Sequence, residues 1–151
     1  MRTIFINGKM FNLEIVEYYY SVEVCEMNPQ KLFVFGDNTM RYGKAGQAQI
    51  RGCANSVGLA TKFNPGMEEE DFFNDAQLEK CTEIMLQDIE KIKSSLSNPA
   101  RNFDTLVFPV NGFGTGLSML PIKAPATYKN LCNMLHQTFG VMTDSGTQRL
   151  V

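Results

Sequence analysis

Two glycine-rich segments carry the residue types most able to do chemistry. In the first, VFGDNTMRYGKAGQAQIRG from Val34 to Gly52, Gly36, Asp37 and Asn38 follow an apolar run, and Gly43 and Gly46 bracket Lys44 ahead of a predicted helix near Gln47. Glycines let backbone N–H groups approach a ligand, and a helix start adds about half a positive charge, so this segment is shaped for an anion such as a phosphate. From Lys31 to Gly66, five basic residues (Lys31, Arg41, Lys44, Arg51 and Lys62) face the single acid Asp37. That island carries +4 in a chain of net charge −2, which leaves −6 for the rest. Taken alone, the segment also fits ordinary turn glycines and a solvated basic face.

The second segment, Asn111-Gly-Phe-Gly-Thr-Gly-Leu-Ser118, follows the apolar run Leu106–Val110 directly. Gly112, Gly114 and Gly116 alternate around Phe113 and Thr115, so main-chain donors can wrap a diphosphate while Phe113 covers a base or ribose. Neither segment is a G-x-x-x-x-G-K-[ST] loop, and the third glycine of the second comes one residue too early for G-x-G-x-x-G.

Residues from about Leu32 to Phe139 resemble a divergent macrodomain, the α/β fold that binds ADP-ribose and related nucleotides. The resemblance rests on Phe35-Gly-Asp-Asn38 with Tyr42-Gly-Lys-Ala-Gly46, on Gly58-Leu-Ala-Thr-Lys62 as the next strand, and on Val107 to Leu117 as a late strand with its Gly-aromatic-Gly loop. It implies that Asn38 reaches the distal ribose, that Gly43 to Gly46 line that ribose and the diphosphate, and that Gly112 to Gly116 wrap the phosphates. Gly36, Asp37, Arg41, Lys44, Gln47, Thr61, Lys62 and Asn111 complete the expected binding set. The chain departs from the family in two places. A hairpin stands where a Gly-Asp-Ile/Leu would read the adenine, and Gln47 stands near the place where hydrolytic members carry an acid. No Asp or Glu occurs between Asp37 and Glu68, so a hydrolase would have to rely on Asp37, with Asn38, to position the attacking water. An Asp at a strand end also serves plainer ends, capping a turn or accepting a hydroxyl.

The elements that must hold these loops can be read from hydrophobic period. Runs at Thr3–Ile6 and Met10–Val16 around Asn7-Gly8 predict a β-hairpin over 3–16. Lys31–Phe35 and Leu106–Val110 have the continuous apolar pattern of strands buried on both faces, and Ser56–Phe63 is a third strand. Leu78, Cys81, Met85, Ile89, Ile92 and Leu96 form one helical stripe behind an Asn74/Gln77 capping box, and a last helix runs from about Ala126 to Thr138, burying Leu131, Met134 and Leu135. Tyr18–Val24 fits a strand or a helix. This alternation predicts one α/β domain over 1–140, a macro-like three-layer sandwich with a mixed central sheet, helices on both faces and the hairpin at its edge, and then a loose tail over 141–151.

At 151 residues, 44% hydrophobic and 20% charged, the chain can bury a core without a disulfide or metal. Cys25, Cys53, Cys81 and Cys132 have no metal or redox spacing and read as free thiols. His136, the single histidine, reads as a surface or packing residue, and Glu68–Asp71 as a solvated segment ahead of core residues Phe72 and Phe73. The N-terminus lacks an apolar leader, so a cytoplasmic protein is expected. The expected ligand is ADP-ribose or a related nucleotide, with no cofactor, metal or membrane, and with nucleic acid entering only as an ADP-ribosylated substrate. The alternatives are an ADP-ribosyl hydrolase, or a phage or host interaction module docking through the basic island.

Overall fold

The computed structural model describes residues 1–151. Asn7 and Gly8 adopt φ values of 52° and 78°, the two positive angles of a type I′ turn, and close the predicted hairpin of β1 (Arg2–Ile6) and β2 (Lys9–Val16). The remaining strands of the main sheet are β3 (Lys31–Asp37), β4 (Ser56–Ala60) and β5 (Thr105–Pro109). Their order is β1-β2-β5-β3-β4, parallel throughout except for β1 at the edge.

Alternate residues of the central strands enter different cores, which is why their sequences are apolar throughout. Leu32 and Val34 of β3 and Leu106 and Phe108 of β5 join the larger core, against α2 (Leu78–Leu96) and against α4 (Pro125–Phe139), which follows the single-turn α3 (Leu120–Lys123). Phe33, Phe35 and Val107 join a smaller core with Cys25 of α1 (Val22–Met27) and with Ala48 and Ile50. Helical structure therefore covers both faces of a mixed sheet, the architecture the sequence predicts. The undecided segment Tyr18–Val24 leads into α1. Tyr20 is buried, its hydroxyl donates to the Val34 carbonyl at 2.8 Å, and Ser21 caps α1 by accepting from the Val24 N–H at 3.1 Å.

Helix α2 buries the predicted stripe from Cys81 to Leu96, with Leu78 half-buried at its start, but Asp88 shares it at 3% exposure. Asn74 accepts from the Gln77 N–H, while the Gln77 side chain bonds the Asn74 amide instead of its backbone, so only half of the capping box forms. Helix α4 lies within a residue of its predicted bounds and is stopped by Gly140 at φ 71°. Leu131 and Leu135 are fully buried and Met134 partly so. No helix is long and apolar enough to cross a membrane.

Helix α4 also borrows a cap. The Asp75 carboxylate accepts from the N–H groups of Ala126 and Thr127 and from the Thr127 hydroxyl, at 2.9, 3.0 and 2.9 Å. Burial alone would raise its pKa, but these three donors outweigh it and hold the carboxyl below the usual Asp value. Its stabilising effect is therefore complete above the unfolded pKa and is lost as pH falls through the lower folded value. Asp75→Ala should cost about 1 kcal/mol at neutral pH. Urea unfolding should show that gap closing as pH falls through the lowered folded pKa, and persisting while pH stays above the ordinary Asp range.

Two expectations are corrected. The helix predicted near Gln47 is only a five-residue 3-10 turn, Gly46–Ile50, too short to supply a macrodipole. The segment 141–151 is not a loose tail: β6 (Val141–Asp144) and β7 (Thr147–Leu150) form a second hairpin through a turn at Ser145-Gly146, with φ of 50° and 81°. It is pinned to the domain by Gln148 N–H donating to the Val110 carbonyl at 2.7 Å and by Arg2 donating to the Val151 carbonyl.

Candidate functional site

Strands β3 and β5 are parallel neighbours, so they deliver the glycine-rich loops to the same edge of the sheet. Ligands in such sheets sit outside these carboxyl ends. A cleft of about 650 Å³ opens there, a volume in the range of small-molecule sites. Its walls are the loop after β5, the 3-10 turn and the residues before it, the segment following β2, and the tip of the C-terminal hairpin.

Of the sequence-predicted residues, Gly36, Gly46, Gln47, Thr61, Asn111, Gly114, Thr115 and Gly116 line this cleft. Asp37, Asn38, Arg41, Gly43, Lys44, Lys62, Gly112 and Phe113 do not, for identifiable reasons.

Asp37 ends β3 with its side chain 2% exposed. Its carboxylate accepts from the Asn38 N–H at 2.7 Å, from Arg51 at 2.5 and 3.2 Å, and from Arg41 at 3.3 Å. Arg41 also donates to Asp88 at 2.6 Å, and Asp88 in turn accepts from the Ala60 N–H at 2.7 Å. Every strong acceptor direction of Asp37 is thus filled by a cation or an amide, leaving none to activate a water. Asn38 is buried beside it, its side-chain amide donating to the Tyr42 carbonyl at 2.8 Å and its Oδ1 without a partner. The expected catalytic pair is a structural knot joining β3, β4 and α2.

The basic island is spent in the same way, which corrects the expectation of a local cationic site. Arg41 and Arg51 serve Asp37 and Asp88, and Lys31 pairs with Glu14 at 3.0 Å. Lys62 is buried with its ammonium 4.6 Å from the Phe72 ring centroid, and burial pushes its pKa down. Lys44 alone of the five is exposed and outside any ion pair. Phe113 does not cover a ligand: it is 1% exposed and packs edge-on against Phe108 at 5.4 Å. An aromatic between two glycines lets the loop reverse while its ring drops into the core.

Gln47 has a definite task. Its Oε1 accepts from the Gly36 N–H at 2.7 Å and its Nε2 donates to the Gly112 carbonyl at 2.8 Å, so one carboxamide ties both loops together. A carboxylate there could accept from Gly36 but would face the Gly112 oxygen without a proton to offer. Gln47→Ala should cost about 1–3 kcal/mol by leaving these groups unpaired, read by denaturant unfolding.

What remains in the cleft is neutral donor chemistry. The backbone N–H groups of residues 113–118 donate to no acceptor within the chain. Gly112 and Gly114 hold φ of 74° and 79°, and Met119, following the run, has φ 48°. Positive φ at the alternate residues 112 and 114 turns the neighbouring N–H groups toward one another, the form of an anion-binding concavity. The hydroxyls of Thr61 and Thr115, two residues of the cleft wall, spend their protons within the chain, on Ser118 Oγ at 2.9 Å and on the Asn111 carbonyl at 2.6 Å.

The sequence-predicted binding set does not include the wall that follows β2. Glu17, Tyr18 and Tyr19 line the cleft, and Glu17 is its only charged residue. Tyr19 is 88% exposed. Burial, with Glu14 nearby, raises the pKa of Tyr18, so its hydroxyl keeps its proton. These residues reach the site because β2 pairs in parallel beside β5, a long-range neighbour that hydrophobic period does not reveal.

Residues 15–134 match DUF7831, a family of unknown function, and the chain belongs to that family. No curated protein and no solved structure matches it.

Proposed function

We propose that this DUF7831 member is a macro-like module that binds ADP-ribose or a related nucleotide, recognising it without turning it over. The observation that carries this reading is the run of unspent N–H groups at 113–118, in a loop whose residues 114–118 line the same cleft as the glycine-bearing turn after β3. Such a nest holds a diphosphate through neutral dipoles, and the exposed tyrosines beyond it offer a surface for a base or ribose. The acceptor-saturated Asp37 favours binding over hydrolysis. The hydrolase alternative would have to run through Glu17, the one carboxylate on the cleft.

Calorimetry with ADP-ribose, NAD and cyclic ADP-ribose forms tests the reading, with the sample then assayed for cleavage products. Saturable heat and intact ligand are expected. No heat from any of them with folded protein overturns the proposal, and cleavage would transfer the assignment to the hydrolase.

A further inference from the structure

The cleft has a wall that the family match does not contain. Residues 15–134 end inside α4, yet the turn of the β6–β7 hairpin, Ser145-Gly146-Thr147, lines the same cleft as the two glycine-rich loops. The hairpin is built against the loop that carries the free amides. Gln148 N–H holds Val110, and a Cβ on Gly112 would lie 3.4 Å from the Gly146 carbonyl oxygen and 3.5 Å from Gln148 Cγ. A Cβ on Gly146 would in turn sit 3.6 Å from Thr115 Cγ2. Ser145 and Thr147 flank this contact, both exposed, and neither hydroxyl is used in a hydrogen bond within the chain. Strand β7 packs beside β2, which places the hairpin on the same side of the cleft as Tyr18 and Tyr19 and across β5 from the 3-10 turn.

We propose that the hairpin tip is a specificity-determining wall in which the hydroxyls of Ser145 and Thr147 contact the uncharged nucleoside end of the ligand, while the 113–118 amides hold its phosphates. This rests on the nucleotide reading above and adds to it which part of the ligand each wall takes. Two free hydroxyls on the cleft that also holds the exposed tyrosines can each donate and accept, which suits the hydroxyls of a ribose or the mixed edge of a base, whereas a phosphate needs donors alone and the 113–118 amides already supply them. Variation outside the shared family region would then retune the ligand without disturbing the anion nest.

The test titrates wild-type protein and the double variant Ser145→Gly/Thr147→Val with ADP-ribose and with inorganic pyrophosphate. Gly takes the positive φ of the turn without strain and Val suits a strand, so the variant should melt with the wild type, and each single variant provides a milder form if the pair does not fold. Removing two hydrogen bonds should weaken ADP-ribose binding by about tenfold and leave pyrophosphate binding unchanged. Equal ADP-ribose affinity in variant and wild type would overturn this inference alone, as would an equal loss of both ligands, which would mean that the hairpin acts only by bracing the loop. Failure of the wild type to bind ADP-ribose would overturn the nucleotide reading and this assignment with it.

Discussion

Asp37→Ala should destabilise the protein by about 3 kcal/mol, the cost of breaking a buried ion pair from one side. For a chain of this size that is a fall of roughly 6 to 12 °C in melting temperature. The carboxylate is 2% exposed and shared between two arginines, whose side chains are 18% and 38% exposed. Arg41 would keep Asp88 and Arg51 would lose its one carboxylate while keeping the Gly43 carbonyl, and the Asn38 N–H would lose its acceptor. The site is also shaped around the carboxylate: a Cβ on Gly58 would lie 2.2 Å from Asp37 Oδ2, so β4 admits only glycine opposite it. Asp37→Asn keeps one acceptor and should cost less. A residue held only for catalysis would behave otherwise, its removal leaving the melting temperature unchanged.

Gly114→Val should abolish nucleotide binding. The position has φ 79°, and a Cβ there would stand 2.8 Å from Leu120 Cβ and 3.3 Å from Thr61 Cβ. Leu120 and Thr61 are each 0% exposed, so neither can move aside cheaply. A non-glycine residue in this region costs about 1–2 kcal/mol before any clash, and a loop that relieves both strains gives up the alternation that gathers its amides. Binding should weaken by at least a hundredfold, roughly 2.7 kcal/mol. Gly116 is the internal control. It lines the same cleft at an ordinary φ with nothing within 4 Å of a Cβ, and Gly116→Ala should fold like the wild type. Calorimetry and thermal melts of the two variants separate loop geometry from loop composition.

The fold was legible wherever a local pattern decides an element. Asn7-Gly8 allows one kind of turn, the stripe from Leu78 to Leu96 allows one helix face, and continuous apolar strands require cover on both sides. The glycine loops were placed at the right strand ends for the same reason. What the residues did alone did not say was how their polar groups would pair. Asp37, Arg41 and Arg51 resembled free site chemistry because nothing local reveals Asp88, although an acid three residues after Met85 and four before Ile92 does interrupt an apolar stripe. Phe113 was misread because a ring between glycines can point either way, and the direction is set by Phe108 across the core. The C-terminal hairpin carried a signal that went unread: Ser145-Gly146 between Val141–Asp144 and Thr147–Leu150 has the same form as Asn7-Gly8 between its strands. Glu17 and Tyr19 had no local signal, because their place on the cleft depends on β2 joining β5.

The most direct measurement is an amide chemical-shift titration of the ¹⁵N-labelled protein with ADP-ribose. Saturable shifts concentrated at residues 113–118, at Ala45 to Gln47 and at Tyr18-Tyr19 are the predicted result. Saturation that leaves those amides unmoved, or no shifts with a folded protein, would contradict the assignment of this cleft.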